Sequence, residues 1–365
     1  MKQKKEWGLF FASLVFIFFV ILIGDEIFLR VLYGSAAFPE TLGGGLPPHL
    51  VTPDTVLGYT LTPGFVGKQI VPGHPTVEYR INQKGLRDDD RVFLPSDKLI
   101  IAIGYSFTFG HGVAYESIWP AVLENKIRAV TPSYHVMKAG VPGFSWPQYA
   151  IQYRRITEGL PRHSLVIVGF TVDAGERLRI GYEARGGILV KQFYPNLIVR
   201  DGLVYEKPTR FERVNQIDAF LRNHSYFFRW FNFKLSLVYH RIKKSLAPVK
   251  NKNPSPSPAS NPLPPSERKH VQEALSILED IHERARGAGA QMLVLFISLP
   301  HQDEDEIAYY REELLKHGVS SLDLSVWEDT PSWRFSPNGH WNAFGHTQVA
   351  EKVFDWIQEH RLLNQ

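Results

Sequence analysis

Five apolar runs of strand length alternate with helical stretches along this chain of 365 residues. The predicted strands are Leu99–Ile103, Tyr134–Met137, Leu165–Phe170, Gln291–Ile297 and Ser320–Leu324. The predicted helices are Ser117–Val130, Trp146–Glu158, Glu267–Arg286, Ile307–His317 and Gly345–His360. Strands that alternate with helices are typical of a parallel sheet covered on both faces. The sequence therefore predicts an α/β fold built on one parallel sheet.

Two stretches lie outside this alternation. Residues 38–95 are rich in proline and glycine and contain short β-like pieces such as Val77–Ile81, which predict a lead-in of loops and hairpins. Residues 174–246 separate the third strand from the fourth. We interpret residues 35–365 as one domain that carries this long insertion.

The insertion and the stretch that follows it contain three kinds of segment. Hairpin-like segments at Gly187–Val190 and Leu203–Tyr205 precede an aromatic helix at Tyr226–Tyr239, which is typical of a cap on the domain or of a segment at a membrane surface. Residues 247–266 follow and are polar and proline-rich. Such a composition cannot form a core, so a flexible linker is predicted there.

The amino terminus predicts a membrane anchor at residues 1–34. Gly8–Gly24 is an uncharged apolar run long enough to cross a bilayer as a helix, and three of the first five residues are lysines. The positive-inside bias keeps those lysines in the cytoplasm and directs the remaining chain outward, to the periplasm or cell exterior. A cleavable signal peptide is the alternative, because Gly34–Ala37 offers small residues. The continuation of the apolar run into Ile27–Tyr33 favours the anchor.

The composition excludes several classes of chemistry. There is no cysteine, which excludes a thiolate nucleophile, a cysteine-ligated zinc and an iron–sulfur cluster. The formal charge is only +4 and no basic tract occurs in the soluble part, so we expect no nucleic-acid partner. The 14 histidines are scattered without a metal-binding spacing. We therefore expect no metal site, and the oligomeric state is left open.

A serine and a histidine occupy positions suited to nucleophilic catalysis. Ser106 follows the first strand in Gly104-Tyr105-Ser106, and ligands of open α/β sheets bind at the carboxyl ends of strands. His340 precedes the last helix in a loop, where an imidazole can act as general base at neutral pH. The plainer interpretations are a turn at Ser106 and a helix cap at His340.

These segments resemble the SGNH or GDSL hydrolase family over roughly residues 54–360 apart from the insertion. Gly104–Val113 resembles the first family block, Ala139–Gly143 the second and Asn338–Trp341 the fifth. The resemblance implies a three-layer α/β/α, flavodoxin-like fold and ester chemistry without a cofactor. It also implies that Ser106 is the nucleophile.

The same resemblance assigns further roles. Gly143 would donate its amide to an oxyanion, His340 would be the base and Asn338 would orient His340. The His340-Trp341 pair resembles the Asp-x-His-Trp subset of the family, which includes O-acetyltransferases of exported polysaccharides. An acyl ester of a glycan is the substrate that this subset implies.

Three positions depart from the family pattern. Tyr105 replaces the usual Asp before the nucleophile, and Asn338 replaces the Asp that orients the base. The third block places Val172, or Asp173 if the register slips by one, where an Asn should serve the oxyanion. Loss of one such donor costs about 10²–10³ in rate in other enzymes, and an Asp-to-Asn swap beside the base costs about 10⁴ in trypsin.

Two hypotheses follow. The first is a membrane-anchored, extracytoplasmic serine esterase or O-acyltransferase that works through Ser106 and His340 on an ester of a cell-envelope or exported glycan. In it, an acid from residues 301–306 could replace the missing Asp. The second is an inactive pseudoenzyme that binds a glycan or protein partner, with Tyr105, Trp146 and Trp341 as stacking surfaces for sugars. Ordinary core and rim packing is the plainer interpretation of these three side chains.

Overall fold

A computed structural model describes most of the chain. The described residues are 2–33, 46–47, 49–69, 75–160, 162–172, 182–185, 188–191, 197–200, 203–206, 217, 220–221, 225–228, 230–231, 234–235, 238, 264–297, 304–324, 331–335 and 339–364.

Strands and helices are numbered here in chain order. The strands are β1 (Val51–Asp54), β2 (Gly58–Leu61), β3 (Val66–Gln69), β4 (Val77–Arg80), β5 (Lys98–Gly104), β6 (Tyr134–Gly140), β7 (His163–Phe170), β8 (Tyr182–Arg185), β9 (Ile188–Lys191), β10 (Leu197–Arg200), β11 (Leu203–Glu206), β12 (Gln291–Phe296) and β13 (Ser320–Asp323). The helices are α1 (Lys2–Tyr33), α2 (Ser106–Phe109), α3 (Trp119–Val130), α4 (Trp146–Thr157), α5 (Lys269–Gly287), α6 (Glu304–Lys316) and α7 (Ala343–Glu359).

Five parallel strands form the central sheet in the order β13-β12-β7-β5-β6. The predicted α/β fold is therefore confirmed. The structure contains a strand or helix at each position predicted from the sequence, and the observed ends differ from the predicted ones by a few residues. Residues 99–104 of β5 are all buried, because this strand lies between β6 and β7 with helices on both faces. Parallel strands that are buried on both faces typically have nearly continuous runs of valine, leucine and isoleucine in their sequence.

The helices fall into two groups. α3 contacts α7, whereas α4 contacts α5 and α5 contacts α6. The chain moves outward from β5 to β6 and then back past β5 to β7. Because parallel crossovers are right-handed, this reversal places α3 and α4 on opposite faces of the sheet. The result is a sheet between two helical layers, as predicted.

The lead-in forms two antiparallel hairpins, β1–β2 and β3–β4, as the sequence predicted. Arg155 of α4 forms an ion pair with Asp54 at 2.6 Å. Gln148 donates to the carbonyl of Leu57 at 2.6 Å and so joins α4 to the first hairpin. The lead-in is thus attached to the helix that follows β6.

The insertion contains the hairpins β8–β9 and β10–β11, which confirms the two predicted hairpin segments. The described residues between 226 and 238 are helical, which confirms the aromatic helix. Glu26 of α1 accepts hydrogen bonds from the amides of Tyr226 at 3.0 Å and Phe227 at 2.9 Å. This carboxylate therefore caps the aromatic helix. The predicted linker at 247–266 lies outside the described residues except for its last three.

In the part of the chain that the structure describes, no helix combines the length and the apolar composition that crossing a membrane requires.

A buried ionic cluster joins β6 to the residues after β4. Lys138 is 1% exposed and donates to Asp88 at 2.9 Å and to Glu124 of α3 at 2.5 Å. Arg91 also bonds Glu124. Burial raises the pKa of Glu124, but Lys138 and Arg91 outweigh it and hold that pKa below its usual range. Each of these charged groups is paired with a group of opposite charge. Such pairing offsets the free-energy cost of burying a charge.

Candidate active site

Ser106 lies where the sheet meets its first short helix. β5 ends at Gly104 and Ser106 begins α2, so its side chain stands at the carboxyl edge of the sheet and is 8% exposed. A Cβ atom on Gly104 would overlap the side chain of Thr108, and one on Gly140 would overlap the backbone of Phe109. Glycine at the ends of β5 and β6 therefore lets α2 lie directly against the sheet.

Arg87 holds the other end of α2. Its guanidinium donates to the carbonyls of Phe109 at 2.8 Å, Gly110 at 2.8 Å and Val113 at 2.7 Å. Burial lowers the pKa of Arg87 to about 10, so the group is still charged at neutral pH. A cation is favourable at the carboxyl end of a helix, where carbonyls lack partners. This contact gives a physical reason for the Gly85-Leu86-Arg87 segment of the lead-in.

His340 lies beside Ser106, with 2.8 Å between His340 Nε2 and Ser106 Oγ. The loop that carries it is fixed by its backbone. The amide of Phe335 donates to the carbonyl of His340 at 2.8 Å, and the amide of Asn342 donates to that of Trp333 at 2.8 Å. Asn342 also caps α7 through its side chain, which accepts from Gly345. The structure therefore brings together the predicted nucleophile and base.

Two aromatic rings lie against the imidazole of His340. The ring of Phe107 is stacked with it at a centroid distance of 5.0 Å, and the ring of His111 lies at 4.6 Å with a tilt of 32°. Trp341 meets Phe107 edge to face at 4.7 Å. Packing by these rings limits the rotation of His340.

Gly143 lies in the loop that follows β6. The amide of Val141 donates to the carbonyl of Gly104 at 3.0 Å, so this loop runs beside the turn that holds Ser106. Tyr59 of β2 donates its hydroxyl to the carbonyl of Pro142 at 2.8 Å. The predicted oxyanion loop is thus held against the lead-in hairpin, one residue before Gly143.

The turn after β7 carries Val172 where the family pattern has an asparagine for the oxyanion. The Val172 side chain is 2% exposed and belongs to the hydrophobic core, and an alkyl group cannot donate a hydrogen bond. The hydroxyl of the neighbouring Thr171 is buried and makes no hydrogen bond within the described residues. Of the two described residues of this turn, Thr171 has the polar side chain, and sequence reasoning passed over it. Asp173 and Asn338 lie outside the described residues.

The predicted sugar-stacking surfaces are wrong. Tyr105 is 2% exposed and Trp146 and Trp341 are 0% exposed. Trp146 instead stacks on Phe170 at 4.7 Å, within the core. Large aromatic side chains next to a motif can equally fill the core behind it, and the sequence pattern does not distinguish the two.

Glu306, the last acid of the run after β12, has a different partner from the one suggested. Glu306 of α6 accepts from Arg268 at 2.7 Å and lies 2.8 Å from His270. It therefore serves the packing of α5 against α6. Residues 301–303 of the same run lie outside the described residues. Over the described residues, no group of three or more histidine, aspartate or glutamate side chains is arranged to hold a metal ion.

Sequence reasoning missed Gln69 and Tyr79, which reach the site from the lead-in. Tyr79 donates its hydroxyl to Gln69 Oε1 at 2.5 Å, and Gln69 Nε2 lies 3.3 Å from His111 Nε2. Both side chains are at most 1% exposed. The only signal in the sequence is a pair of polar residues on predicted hairpin strands, which is common on exposed hairpins.

The fold and this geometry define a class: a serine–histidine pair at the carboxyl edge of a parallel α/β sheet. Scans of protein-family models and of curated proteins found no match. Solved structures that are similar include TesA, with 12% identity, 72% of this chain and 99% of that chain covered, and a TM-score of 0.40. The esterase EstA from Pseudoalteromonas sp. has 11% identity, coverage of 74% and 100%, and a TM-score of 0.40.

AlinE4, an SGNH-hydrolase family esterase, has 14% identity, coverage of 72% and 96%, and a TM-score of 0.35. Identities and scores at this level assign neither a family nor an activity to this chain. Its function has to be inferred from its own residues.

Proposed function

We propose that this protein is a serine esterase or O-acyltransferase that acts through Ser106 and His340. The observation that carries the proposal is the 2.8 Å distance from His340 Nε2 to Ser106 Oγ. A nucleophile and a base within hydrogen-bond reach are the minimal geometry for nucleophilic catalysis.

In the first half of the reaction, His340 Nε2 takes the proton of the Ser106 hydroxyl while Oγ attacks the ester carbonyl carbon. The negative charge moves to the carbonyl oxygen, where the amides of Ser106 and Gly143 donate to it. When the tetrahedral adduct collapses, the ester C–O bond breaks and His340 returns the proton to the leaving alcohol. The acyl group then remains on Ser106.

In the second half, an acceptor hydroxyl attacks the acyl-serine while His340 takes its proton. Collapse releases Ser106 and returns that proton to Oγ. Water as acceptor gives hydrolysis, and a sugar hydroxyl gives O-acyl transfer. Both outcomes use the same residues, so the acceptor alone separates the two activities.

We place the reaction outside the cytoplasm, on an ester of a cell-envelope or exported glycan, with residues 1–34 as a single-pass anchor. The apolar run and the preceding lysines support the anchor. Apart from Leu22, which is half-buried, the described side chains of that run are exposed, among them Phe16 at 70% and Phe18 at 58%. The glycan rests on the resemblance of Asn338–Trp341 to the Asp-x-His-Trp subset.

The alternative of an inactive sugar-binding protein loses its suggested stacking surfaces, because those side chains are buried. The close approach of Ser106 to His340 is what a catalytic site requires and a binding cleft does not. Activity is therefore the better-supported hypothesis.

The test is hydrolysis of p-nitrophenyl acetate by the full chain in detergent. We expect turnover that Ser106→Ala abolishes and that Ser164→Ala leaves unchanged, since Ser164 donates to Leu99 on β5 away from the site. Equal hydrolysis by Ser106→Ala and the parent would overturn the proposal. Adding an acyl donor with and without a polysaccharide then separates transfer from hydrolysis.

The location of the domain can be tested separately by labelling an introduced cysteine. The chain has no cysteine of its own, so the introduced residue provides its single thiol. Leu315 on α6 is 73% exposed, so a cysteine there is open to reagents. We expect Leu315→Cys to react with a membrane-impermeant maleimide in intact cells. Labelling only after lysis would contradict the proposed orientation.

A further inference from the structure

A chain of hydrogen bonds from the β3–β4 hairpin ends at the imidazole next to the proposed base. The amide of Gly112 donates to the Tyr79 hydroxyl oxygen at 2.8 Å. Tyr79 donates in turn to Gln69 Oε1 at 2.5 Å. Gln69 Nε2 lies 3.3 Å from Nε2 of His111, whose ring lies against that of His340.

The direction of this chain fixes the proton on His111. A backbone amide can only donate, so the Tyr79 oxygen accepts and its own proton goes to Gln69. The amide nitrogen of Gln69 then faces His111 and donates to it, because an amide NH₂ has no acceptor. Nε2 of His111 must therefore be unprotonated, and a neutral His111 carries its proton on Nδ1.

The surroundings disfavour a second proton on His111. The ring is 6% exposed, and two cations among the described residues lie over aromatic rings next to the His111–His340 pair. Arg87 lies over the ring of Tyr79 at 4.5 Å, and Arg334 lies over the ring of Phe107 at 5.3 Å. Within the part of the chain that the structure describes, the titratable groups shown beside His111 and its hydrogen-bond chain are Tyr79 and His340. Burial raises the pKa of Tyr79, which keeps its hydroxyl available as the donor in the chain.

We propose that Gln69 and Tyr79 hold His111 neutral in the Nδ1–H form, so that its ring positions His340 beside Ser106. This inference rests on the proposed function. A neutral ring at 4.6 Å can pack against His340 in both of its protonation states. A charged His111 would instead repel the imidazolium that His340 becomes when it takes the serine proton.

His111 is thus a positioning residue that acts through His340. It restrains the ring of the base by contact, which is one of the two tasks of the Asp that SGNH-type sites place before the His. The other task, charge compensation of the imidazolium, is not met by a neutral ring. We therefore expect a rate that depends on His111 without being abolished by its loss.

The first arm of the test is independent of activity. Full-length protein with ¹⁵N-labelled histidine is followed by NMR between pH 5 and 8, and the His111 signals are assigned by their loss in His111→Phe. We expect an Nδ1–H, Nε2-unprotonated pattern that does not titrate in this range. An Nε2–H pattern, or titration near the ordinary histidine pKa of about 6.5, would overturn the proposal.

The second arm measures ester hydrolysis against pH. We expect His111→Ala to lower kcat about 10-fold with KM unchanged, within the 10²-fold that a 1 Å misplacement can cost. His111→Phe keeps an uncharged ring and should stay within about threefold of the parent, by the same reasoning. Gln69→Leu should let His111 titrate in the NMR experiment.

The two arms separate the possible failures. If the parent hydrolyses no ester while His111 shows the expected tautomer, the proposed function fails and the hydrogen-bond chain stands. If the parent is active and His111→Ala has the parent kcat, the positioning role is overturned. A loss of folding in His111→Ala, seen by circular dichroism, leaves the NMR result and the His111→Phe rate to decide.

Discussion

Ser106 and His340 lie 2.8 Å apart, and the protein holds them in different ways. Ser106 is held by backbone: it begins α2, which lies against glycines at the ends of two strands. His340 is held by its loop and by side chains, because the rings of Phe107 and His111 lie against it. The serine half of the site is thus fixed by close backbone contacts, and the histidine half is fixed by packed side chains.

The difference has a physical consequence. Close backbone contacts do not titrate and leave no room for an added atom. A substitution that disturbs them should therefore reduce folding and activity together. A side-chain assembly can lose one member and still fold, so damage to it should reduce the rate first. Substitutions on the two sides can therefore test the comparison.

Among the substitutions that test this comparison, the largest effect on ester hydrolysis is expected at Gly140. In Gly140→Ala the new Cβ meets the backbone of Thr108 and Phe109, so α2 has to move and Ser106 moves with it. We expect kcat/KM to fall about 10²-fold and the free energy of unfolding to fall by about 1–3 kcal/mol. Steady-state kinetics and urea unfolding measure the two quantities.

Gly287→Ala is the matched control. This glycine ends α5 with no atom near the added Cβ, so the same substitution should change neither quantity appreciably. A Gly140→Ala protein with parent kinetics would show that the serine half is not sterically locked.

A smaller effect is expected from the tyrosine that supports the loop before Gly143. Tyr59→Phe removes the hydrogen bond to Pro142, and Tyr134→Phe removes an equivalent buried bond to the carbonyl of Leu362. Each should cost about 1 kcal/mol of stability. Only Tyr59→Phe should also lower kcat, by less than about 10-fold, because the Gly143 amide shifts slightly. Equal kcat values in the two variants would show that the hydrogen bond of Tyr59 does not help to position the oxyanion loop for catalysis.

The smallest effect on the rate at neutral pH is expected at His346, which lies behind the His340 loop. It is buried, and its Nδ1 accepts from the amide of Trp119 at 3.1 Å. Burial, with a smaller contribution from Arg87, lowers the pKa of His346 to about 3. Between pH 6.5 and 3 the unfolded chain therefore binds a proton that the folded protein does not.

Stability from His346 is thus fully present above about pH 6.5 and is lost on acidification, by up to about 1.4 kcal/mol per pH unit. His346→Gln does not titrate and should flatten this part of a plot of unfolding free energy against pH. Burial also lowers the pKa of His163, which contributes in the same direction in both proteins. Parallel plots for the parent and the variant would contradict the assignment.

The backbone half of the site could be predicted from sequence. The apolar run predicts the strand, and Gly104 and Ser106 after it predict the turn. Both predictions are possible because the end of a strand and a glycine in a turn are recognisable in the local sequence. The central sheet was predictable for the same reason, since burial on both faces requires apolar residues at every position.

The side-chain half could be predicted only in part. His340 was found from its place in a loop before the last helix and then by resemblance, whereas Gln69 and Tyr79 reach the neighbouring His111 through a hairpin that lies far away in sequence. Nothing local distinguishes these two residues from polar residues on an exposed hairpin. Tyr105, Trp146 and Trp341 failed as stacking surfaces because residue type does not state which side of a motif faces solvent.

The most direct test of the Ser106–His340 pair is covalent labelling with a fluorophosphonate, read by peptide mass mapping of the full chain. We expect one adduct, on the peptide that contains Ser106, and a labelling rate about 10³-fold or more lower in folded His340→Gln, as the loss of a catalytic base implies. An adduct at another residue, no adduct on the folded parent, or an unchanged rate in His340→Gln would contradict this account.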